Sequence, residues 1–246
     1  MREILGRRRR LRFRRKERTA RLDAAVTFAV EWNWPVLPGA DLRTATRATT
    51  GLRTLARTAA DLMTATRTDA EPACSCPDPG CVVPGGHPYD PGLLAATTDE
   101  RMVRWWWTAR PDAPVVLATG GGAPCAVSLP APAGARALAA LDATGMRLGP
   151  VVATPTRWSI LVAPYDLERL GELLYAKDSV PSSLRFHSEG GYLLLPPSVA
   201  GSGQVRWERA PLAGSARPWL PDVEAVVDAL VEASTSTPGG GSRLAY

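Results

Sequence analysis

The chain has 246 residues, 45% of them hydrophobic, and a formal net charge of +5 at pH 7. This length suits one substantial globular domain, and no apolar run approaches the ~20 residues of a membrane-spanning helix, so we expect no membrane-embedded segment. The charge is uneven, since eleven of the 29 Lys and Arg residues lie within the first 21 positions, opposed there by Glu3 and Glu17. We therefore predict one domain over residues 20–233, with a basic arm before it and a flexible tail at 234–246.

The basic arm covers residues 1–19. Like charges in such a block repel one another, which favours a disordered, solvated segment. The alternative is an arm that binds the phosphates of a nucleic acid. The candidate phosphate-binding residues of the arm are Arg7, Arg8, Arg9, Arg10, Arg14 and Arg15.

Two short elements follow the arm. Apolar residues at helical spacing predict an amphipathic helix over residues 21–32, which Asn33 ends. Residues 35–38 then predict a short strand. The next interval, residues 41–70, is rich in Thr, Ala and Arg and shows little regular apolar spacing, so it predicts a weak helix at most.

A cysteine-rich knuckle at residues 74–88 comes next. Its potential ligands are Cys74, Cys76, Cys81 and His87, spaced C-x-C-x4-C-x5-H among prolines and glycines. Three thiolates and one imidazole can close a tetrahedral structural zinc site. The alternatives are free cysteines or a disulfide. The sequence shows no secretory signal, so we expect a reducing cytoplasmic compartment, in which clustered cysteines favour a metal.

A capped helix is predicted over residues 98–110, with Thr98 as its N-cap and Asp99 and Glu100 in its first turn. Three consecutive tryptophans at 105–107 fit core positions plus a rim position, and the alternative is a base-stacking platform. Residues 114–119 predict a buried strand. The glycine turn that follows lacks the lysine of a phosphate loop, so we assign it no phosphate role.

The second half of the chain alternates short apolar runs with helical patterns. The predicted strands cover residues 125–129, 151–153, 157–163, 183–187 and 192–195. The predicted helices cover residues 133–141, 165–175 and 221–233, with Asp166 as the cap of the second. This order of elements predicts an α/β (α+β) fold with a mixed sheet.

Several phrases together resemble the N-terminal domain of bifunctional DNA primase/polymerases, in the archaeo-eukaryotic primase superfamily. The resemblance covers roughly residues 22–210 in the order of that family. Its phrases are W-P-V-L-P-G at 34–39, the knuckle, A-T-T-D-E-R-M-V-R-W-W at 96–106, V-L-A-T-G at 116–120, T-P at 154–155 and E-G-G-Y-L-L-L-P-P-S at 189–198. The family usually crosses the interval before the knuckle more briefly, so we interpret residues 41–70 as an insertion.

The resemblance implies nucleotidyl transfer by paired magnesium or manganese ions held by carboxylates. The two D-x-D positions of active members fall on Ser128 and Pro130, and the third carboxylate falls on Arg185. None of these side chains can hold magnesium as an aspartate does. The triphosphate-binding histidine of the family falls near residues 158–159, although Arg157 stands close by and His187 replaces an arginine of the family. We therefore expect a catalytically degenerate domain that retains Arg157 and His187 as phosphate contacts.

Three functions stay open. The first is a degenerate primase/polymerase-like domain that binds DNA or a nucleotide in a replication or mobile-element context. The second is a zinc-stapled module that binds a replication-type protein partner without touching nucleic acid. The third is an active nucleotidyltransferase, with magnesium or manganese held by displaced carboxylates such as Asp99, Asp142 or Glu189.

Overall fold

The structure, a computed structural model, describes residues 15–43, 73–212 and 214–235. It confirms the α/β (α+β) fold. The predicted mixed sheet is not found among the described residues, where every pair of strands is antiparallel. The helices are α1 over residues 15–26, which continues as a π-helical turn at Thr27–Glu31, α2 at Glu100–Ala109, α3 at Ala131–Ala143, α4 at Leu167–Tyr175 and α5 at Val223–Thr235. The strands are β1 at Val36–Pro38, β2 at Leu42–Arg43, β3 at Ala73–Cys74, β4 at Val115–Ala118, β5 at Cys125–Pro130, β6 at Val151–Ala153, β7 at Arg157–Val162, β8 at Arg185–His187, β9 at Tyr192–Leu195, β10 at Val199–Ala200, β11 at Gly203–Gln204 and β12 at Arg206–Arg209.

Helix α1 corrects the predicted boundary of the arm. Residues 15–19, which we assigned to a disordered arm, are helical. This segment makes a contact distant in sequence: Arg18 Nη2 lies 2.5 Å from Asp112 Oδ2, and Arg21 Nη1 lies 3.4 Å from Asp112 Oδ1. The helix ends as predicted, because Asn33 adopts a φ of 55°, a left-handed conformation that asparagine tolerates. Residues 1–14 of the arm lie outside the described residues.

The first core forms around a three-stranded antiparallel sheet in the order β1-β4-β9. Strand β4 lies in the centre, and its residues Val115, Val116 and Leu117 are fully buried. Helices α1 and α2 cover this sheet, and Trp107 of α2 is the largest fully buried side chain. Its Nε1 donates to the Ala113 carbonyl 3.1 Å away, so the buried indole has its hydrogen-bond partner.

Helix α2 bears out part of its prediction. Trp106 and Trp107 are buried and Trp105 is 62% exposed, which confirms the interpretation as core plus rim. The predicted cap is wrong by one residue, because the carboxylate of Asp99, rather than Thr98, accepts from the Met102 N–H at 2.8 Å. Thr97 in turn accepts from the Asp99 N–H.

The second core lies under a five-stranded antiparallel sheet in the order β12-β6-β7-β5-β8. Alternate residues of a strand point to opposite faces. Cys125, Val127 and Leu129 of β5 therefore pack with helices α3, α4 and α5, while Ala126 and Ser128 point to the other face. This second face, which turns away from those helices, is the floor of the candidate site.

The remaining predictions concern the ends of segments. Strands β2 and β3 pair antiparallel, with Leu42 opposite Cys74. Residues 44–72 between them lie outside the described residues, as do 236–246 of the predicted tail. Helix α5 extends to Thr235, which moves the predicted end of the domain. Within the described ranges, no helix combines the length and apolar character needed to cross a bilayer.

Candidate functional site

A cavity of about 300 Å³ opens between the floor of the five-stranded sheet, strand β9 and the cysteine-rich knuckle. Its sheet floor contributes Ser128, Val152, Thr154, Thr156, Arg157, Ser159 and His187. Its other walls consist of Val82, Val83, Pro84, Gly86, Tyr192, Leu193, Leu194, Ala200 and Ser202. No carboxylate is among these lining residues of the described chain. The cavity therefore combines hydroxyl groups, one arginine and one histidine with an aliphatic wall.

The structure brings together three positions that the sequence assigned to one lost metal centre. Ser128 and Arg185 are direct partners across the antiparallel pair of β5 and β8. Opposite residues of such a pair share one face of the sheet, so both side chains lie on the floor. Pro130 follows on the same face, opposite Arg157 of β7. Ser128 is buried and Arg185 is exposed.

The register also shows which of residues 158 and 159 faces the cavity. Ser159 is the partner of Ser128 and lines the cavity. Trp158 points to the opposite face and packs against the second core, where its Cβ would lie 2.7 Å from a β-carbon placed on Gly134. Of these two neighbours, Ser159 is therefore the one whose side chain faces the cavity.

Ser128 is the centre of a hydrogen-bond network on the floor. Its Oγ lies 3.0 Å from His187 Nε2 and accepts from Arg157 Nε and Nη2, each at 3.2 Å. Arg157 Nη2 also donates to the Ser128 carbonyl at 2.8 Å and to the Ser183 carbonyl at 3.0 Å. A hydroxyl has one donor and two acceptor sites. Since the arginine can only donate, the Ser128 hydroxyl proton points to the histidine.

His187 is therefore the acceptor of this pair, which requires a neutral ring with an unprotonated Nε2. The electrostatics agree with this assignment. Burial lowers the pKa of His187 first of all, and the guanidinium groups of Arg157 and Arg185 lower it further, against a backbone hydrogen bond to Tyr192 that raises it. The ring is thus held in its neutral form at neutral pH.

Arg157 is the half-buried cation of the site. Burial and the neighbouring Arg185 lower its pKa, but a guanidinium stays charged in a protein. Its Nη1 donates to no acceptor among the described residues, whereas Nε and Nη2 are fully engaged. Two guanidinium groups thus share one face, and the described residues that line its cavity include no carboxylate. Such a face attracts an anion and disfavours a divalent cation.

The knuckle brings all four of its predicted ligands into one metal-binding group. The potential ligand atoms of Cys74, Cys76, Cys81 and His87 all lie within 4.8 Å of one another. The sulfur atoms of Cys74 and Cys81 are each 3.4 Å from His87 Nε2. A tetrahedron with metal–ligand bonds of ~2.0–2.3 Å has edges of ~3.5 Å, so the group fits a zinc-sized ion.

Neighbouring hydrogen bonds prepare this group for a metal. His87 Nδ1 lies 2.8 Å from the Pro88 carbonyl, and donating its proton there leaves Nε2 as the ligand atom. Burial opposes ionisation of Cys74, yet bonds from the N–H groups of Cys76 and Gly85 lower its pKa to about 6. Burial and the neighbouring thiol groups raise the pKa of Cys81 to about 11. A bound cation would remove that penalty by neutralising the gathered thiolates.

The knuckle also forms part of the cavity, which the sequence did not indicate. Val82 and Val83 lie between the ligands Cys81 and His87 and line the wall opposite Ser128. The Pro84 carbonyl accepts from the Gly201 N–H at 2.6 Å, which ties the knuckle to the β10–β11 hairpin. The local sequence signal was the Val82-Val83 pair within a Pro/Gly loop, and the structure leaves both valines exposed.

The displaced carboxylates of the third hypothesis do not converge. Asp99 caps helix α2, Asp142 bonds to Arg209, and Glu189 lies in the turn before β9. Within the described chain, the knuckle is the one group of three or more His, Cys, Asp or Glu side chains arranged to hold a metal ion. Of the arm residues, Arg15 is exposed at the start of α1, while the others lie outside the described residues.

Comparison with known proteins gives one match. A family model described as "Bifunctional DNA primase/polymerase, N-terminal" matches residues 25–223, which is well over half of the chain. No curated protein and no solved structure matches the chain. The matched range begins inside α1 and ends at the start of α5, so it contains both sheets, the knuckle and the cavity.

Proposed function

The chain belongs to the bifunctional DNA primase/polymerase N-terminal family, and we propose that it binds a nucleotide or nucleic-acid phosphate in the cavity without transferring nucleotides. The observation that carries this proposal is the floor itself. Arg157 and Arg185 share a face with Ser128 and the neutral His187, and none of the described residues that line the cavity is a carboxylate. Nucleotidyl transfer needs carboxylates to hold two metal ions, whereas phosphate binding needs donors and positive charge.

The knuckle supports this function as a structural zinc site. Cys74, Cys76, Cys81 and His87 would supply four ligands, which closes the coordination shell and leaves no position for substrate. Bound zinc would cross-link the loop through these four side chains. By fixing the loop that carries the exposed residues Val82 and Val83, the knuckle would keep one rim of the cavity in place.

Two measurements on the wild-type protein test the proposal. The first is primer extension and de novo priming with magnesium and manganese, using ribo- and deoxynucleotides, from which we expect no product. The second is calorimetric binding of ATP and AMP, for which we expect saturable binding. Metal-dependent product, lost in Asp142→Asn, would show that displaced carboxylates work after all. Absence of binding to nucleotide and to DNA would remove the proposed function.

Arg157→Gln should identify the cavity as the binding site. Removing charge-assisted hydrogen bonds to a phosphate costs roughly 1.5–3 kcal/mol, which is about 10- to 100-fold in affinity. Arg169→Gln is the matched control, since it removes one arginine from helix α4, where the side chain pairs with Glu172 and Glu224 far from the floor. Equal losses in both variants would indicate a general charge effect.

One observation favours the second candidate, a module that binds a protein partner. Tyr89, Met102 and Trp105 are 45%, 43% and 62% exposed, and Tyr89 and Trp105 line one shallow depression near the knuckle. Salt dependence separates the two functions. DNA binding through n phosphates should weaken with a log–log slope of roughly −0.9n, and deleting residues 1–14 should flatten that slope if the arm takes part. Binding without such a slope favours the protein partner.

A further inference from the structure

The guanidinium of Arg157 occupies a fixed place on the cavity floor. The side chain leaves β7, crosses β5 at Ser128 and reaches the Ser183 carbonyl at the entry to β8. It thereby joins the strand of the lost D-x-D positions to the strand of the lost third carboxylate. We propose that Arg157 is a built-in cation that replaces the divalent metal, so that this cavity binds a nucleotide phosphate without any divalent metal ion. This inference rests on the proposed phosphate-binding function.

Ser128 acts as the positioning residue for that cation. Its Oγ accepts from Nε and Nη2 and its carbonyl accepts from Nη2, so three bonds orient one guanidinium plane. The hydroxyl itself donates a hydrogen bond to His187 Nε2. With both acceptor sites and the donor in use, this serine has no lone pair left for a nucleophilic role. A neutral hydroxyl also leaves the positive charge of Arg157 uncompensated, which a carboxylate at the same position would not do.

The Nη1 of the Arg157 guanidinium, which is unpaired among the described residues, determines which ligand can bind. Nη1 is the one nitrogen of Arg157 that bonds to no acceptor in the described chain, and this nitrogen is not buried. The Arg185 side chain adds a second, exposed cation on the same face. One oriented cation and one exposed cation together match the dianion of a phosphate monoester. Hydroxyl groups of Thr154, Thr156 and Ser202 in the lining can accept and donate to the rest of a nucleotide.

This arrangement predicts that nucleotide binding does not require magnesium, in contrast to a carboxylate-lined site. In a carboxylate-lined site magnesium bridges protein and phosphate, so binding requires it. Here magnesium would compete with Arg157 for the same phosphate oxygens and would be repelled by the two guanidinium groups. The ligand is therefore the metal-free form of a nucleotide phosphate.

The test is calorimetric titration of the zinc-loaded protein with AMP and ATP in resin-treated buffer, with and without millimolar MgCl2. Chelators are left out because they would strip the knuckle. We expect AMP binding to change less than about twofold on adding magnesium and ATP binding to weaken, since magnesium sequesters free ATP. Binding that requires magnesium would overturn the built-in cation while leaving phosphate binding intact. No binding under either condition would remove the proposed function as well.

Ser128→Asp separates the two explanations at residue level. If Arg157 is the phosphate-binding cation, the new carboxylate pairs with it and lowers AMP affinity about tenfold or more, with or without magnesium. If the site still works through metals, Ser128→Asp should instead gain magnesium-dependent binding, and that result would overturn the inference. Arg157→Lys keeps the positive charge but loses the planar, bidentate guanidinium. We therefore expect an AMP affinity between those of the wild type and Arg157→Gln. Unchanged zinc content and thermal midpoint identify variants that are folded.

Discussion

Gly120 approaches Glu189 so closely that a β-carbon on Gly120 would lie 2.3 Å from the Glu189 Cα atom. The two residues are 69 positions apart and belong to the two glycine turns that the sequence singled out. Between them, Thr119 donates its hydroxyl to the Ser188 carbonyl at 2.6 Å and its N–H to the Gly191 carbonyl at 3.0 Å. Gly120 therefore permits close backbone packing between the turn after β4 and the turn before β9.

Gly120→Ala should destabilise the fold strongly. The residue has a φ of +91°, which L side chains rarely adopt, and its new β-carbon would meet the Glu189 backbone. We expect a loss of about 3 kcal/mol, or roughly 6–12 °C in Tm. Gly122→Ala is the matched control, since its β-carbon would meet nothing within 4 Å and its φ is not positive. Thermal melts of both variants decide, and equal midpoints would contradict the packing role.

The sequence predicted local elements well where the local pattern determines them. Asp166 caps α4 as expected, with its carboxylate accepting from the Arg169 N–H at 2.7 Å, because an aspartate before an amphipathic run has no competing cap. At α2 two capping residues, Thr98 and Asp99, stand side by side, and sequence alone does not decide between them. The start of α1 was missed because a run of arginines conceals a helix that Asp112, far along the chain, stabilises.

The candidate site was predicted in parts but not as an assembly. The family resemblance assigned Ser128, Arg157, Arg185 and His187 to one catalytic and phosphate-binding centre. The sheet register places these four residues on one face. Their bonding could not be predicted, because a register between strands 59 residues apart leaves no trace in local periodicity. The contact between the knuckle and the cavity, through Val82 and Val83, has the same non-local origin.

The stability of the domain should fall on mild acidification because of His187. Its folded pKa lies below its ordinary value of 6.5, so above about pH 6.5 the ring is neutral in both states and carries no penalty. As the pH falls below 6.5 the unfolded chain binds the proton first. Stability is then lost by up to ~1.4 kcal/mol per pH unit, until the folded pKa is reached.

His187→Gln tests this pH dependence. The amide can still accept from Ser128 but cannot titrate, and the facing groups Arg157 and Arg185 stay charged throughout. We expect the stability difference between wild type and variant, from urea unfolding at a series of pH values, to shrink or reverse in acid. Subtracting the two curves cancels any acid release of metal from the knuckle. Parallel curves would exclude His187 as the titrating group.

Substitutions of Trp105 and Trp107 in α2 should have different effects on stability and on DNA binding. Trp107→Ala removes a fully buried indole and its bond to the Ala113 carbonyl, which costs roughly 3–5 kcal/mol of unfolding free energy. Trp105→Ala removes an exposed ring and should stay within ~0.5 kcal/mol of wild type. If Trp105 stacks on bases, its variant should still lose about 1–3 kcal/mol in binding of single-stranded DNA, measured by fluorescence anisotropy. An unchanged affinity would leave it a rim residue only.

Loss of zinc from the knuckle should weaken ligand binding in the cavity. Cys76→Ser removes one ligand of the four-residue group, so we expect less than half an equivalent of zinc by metal analysis, against one in the wild type. Because Val82 and Val83 form a cavity wall between two of the ligands, the same variant should bind AMP several-fold more weakly. Cys125→Ala is the matched control, since this cysteine lies on the opposite face of β5, buried among helices. Equal zinc content in Cys76→Ser and wild type would exclude the site, and zinc loss with unchanged AMP affinity would show that the wall holds without the metal.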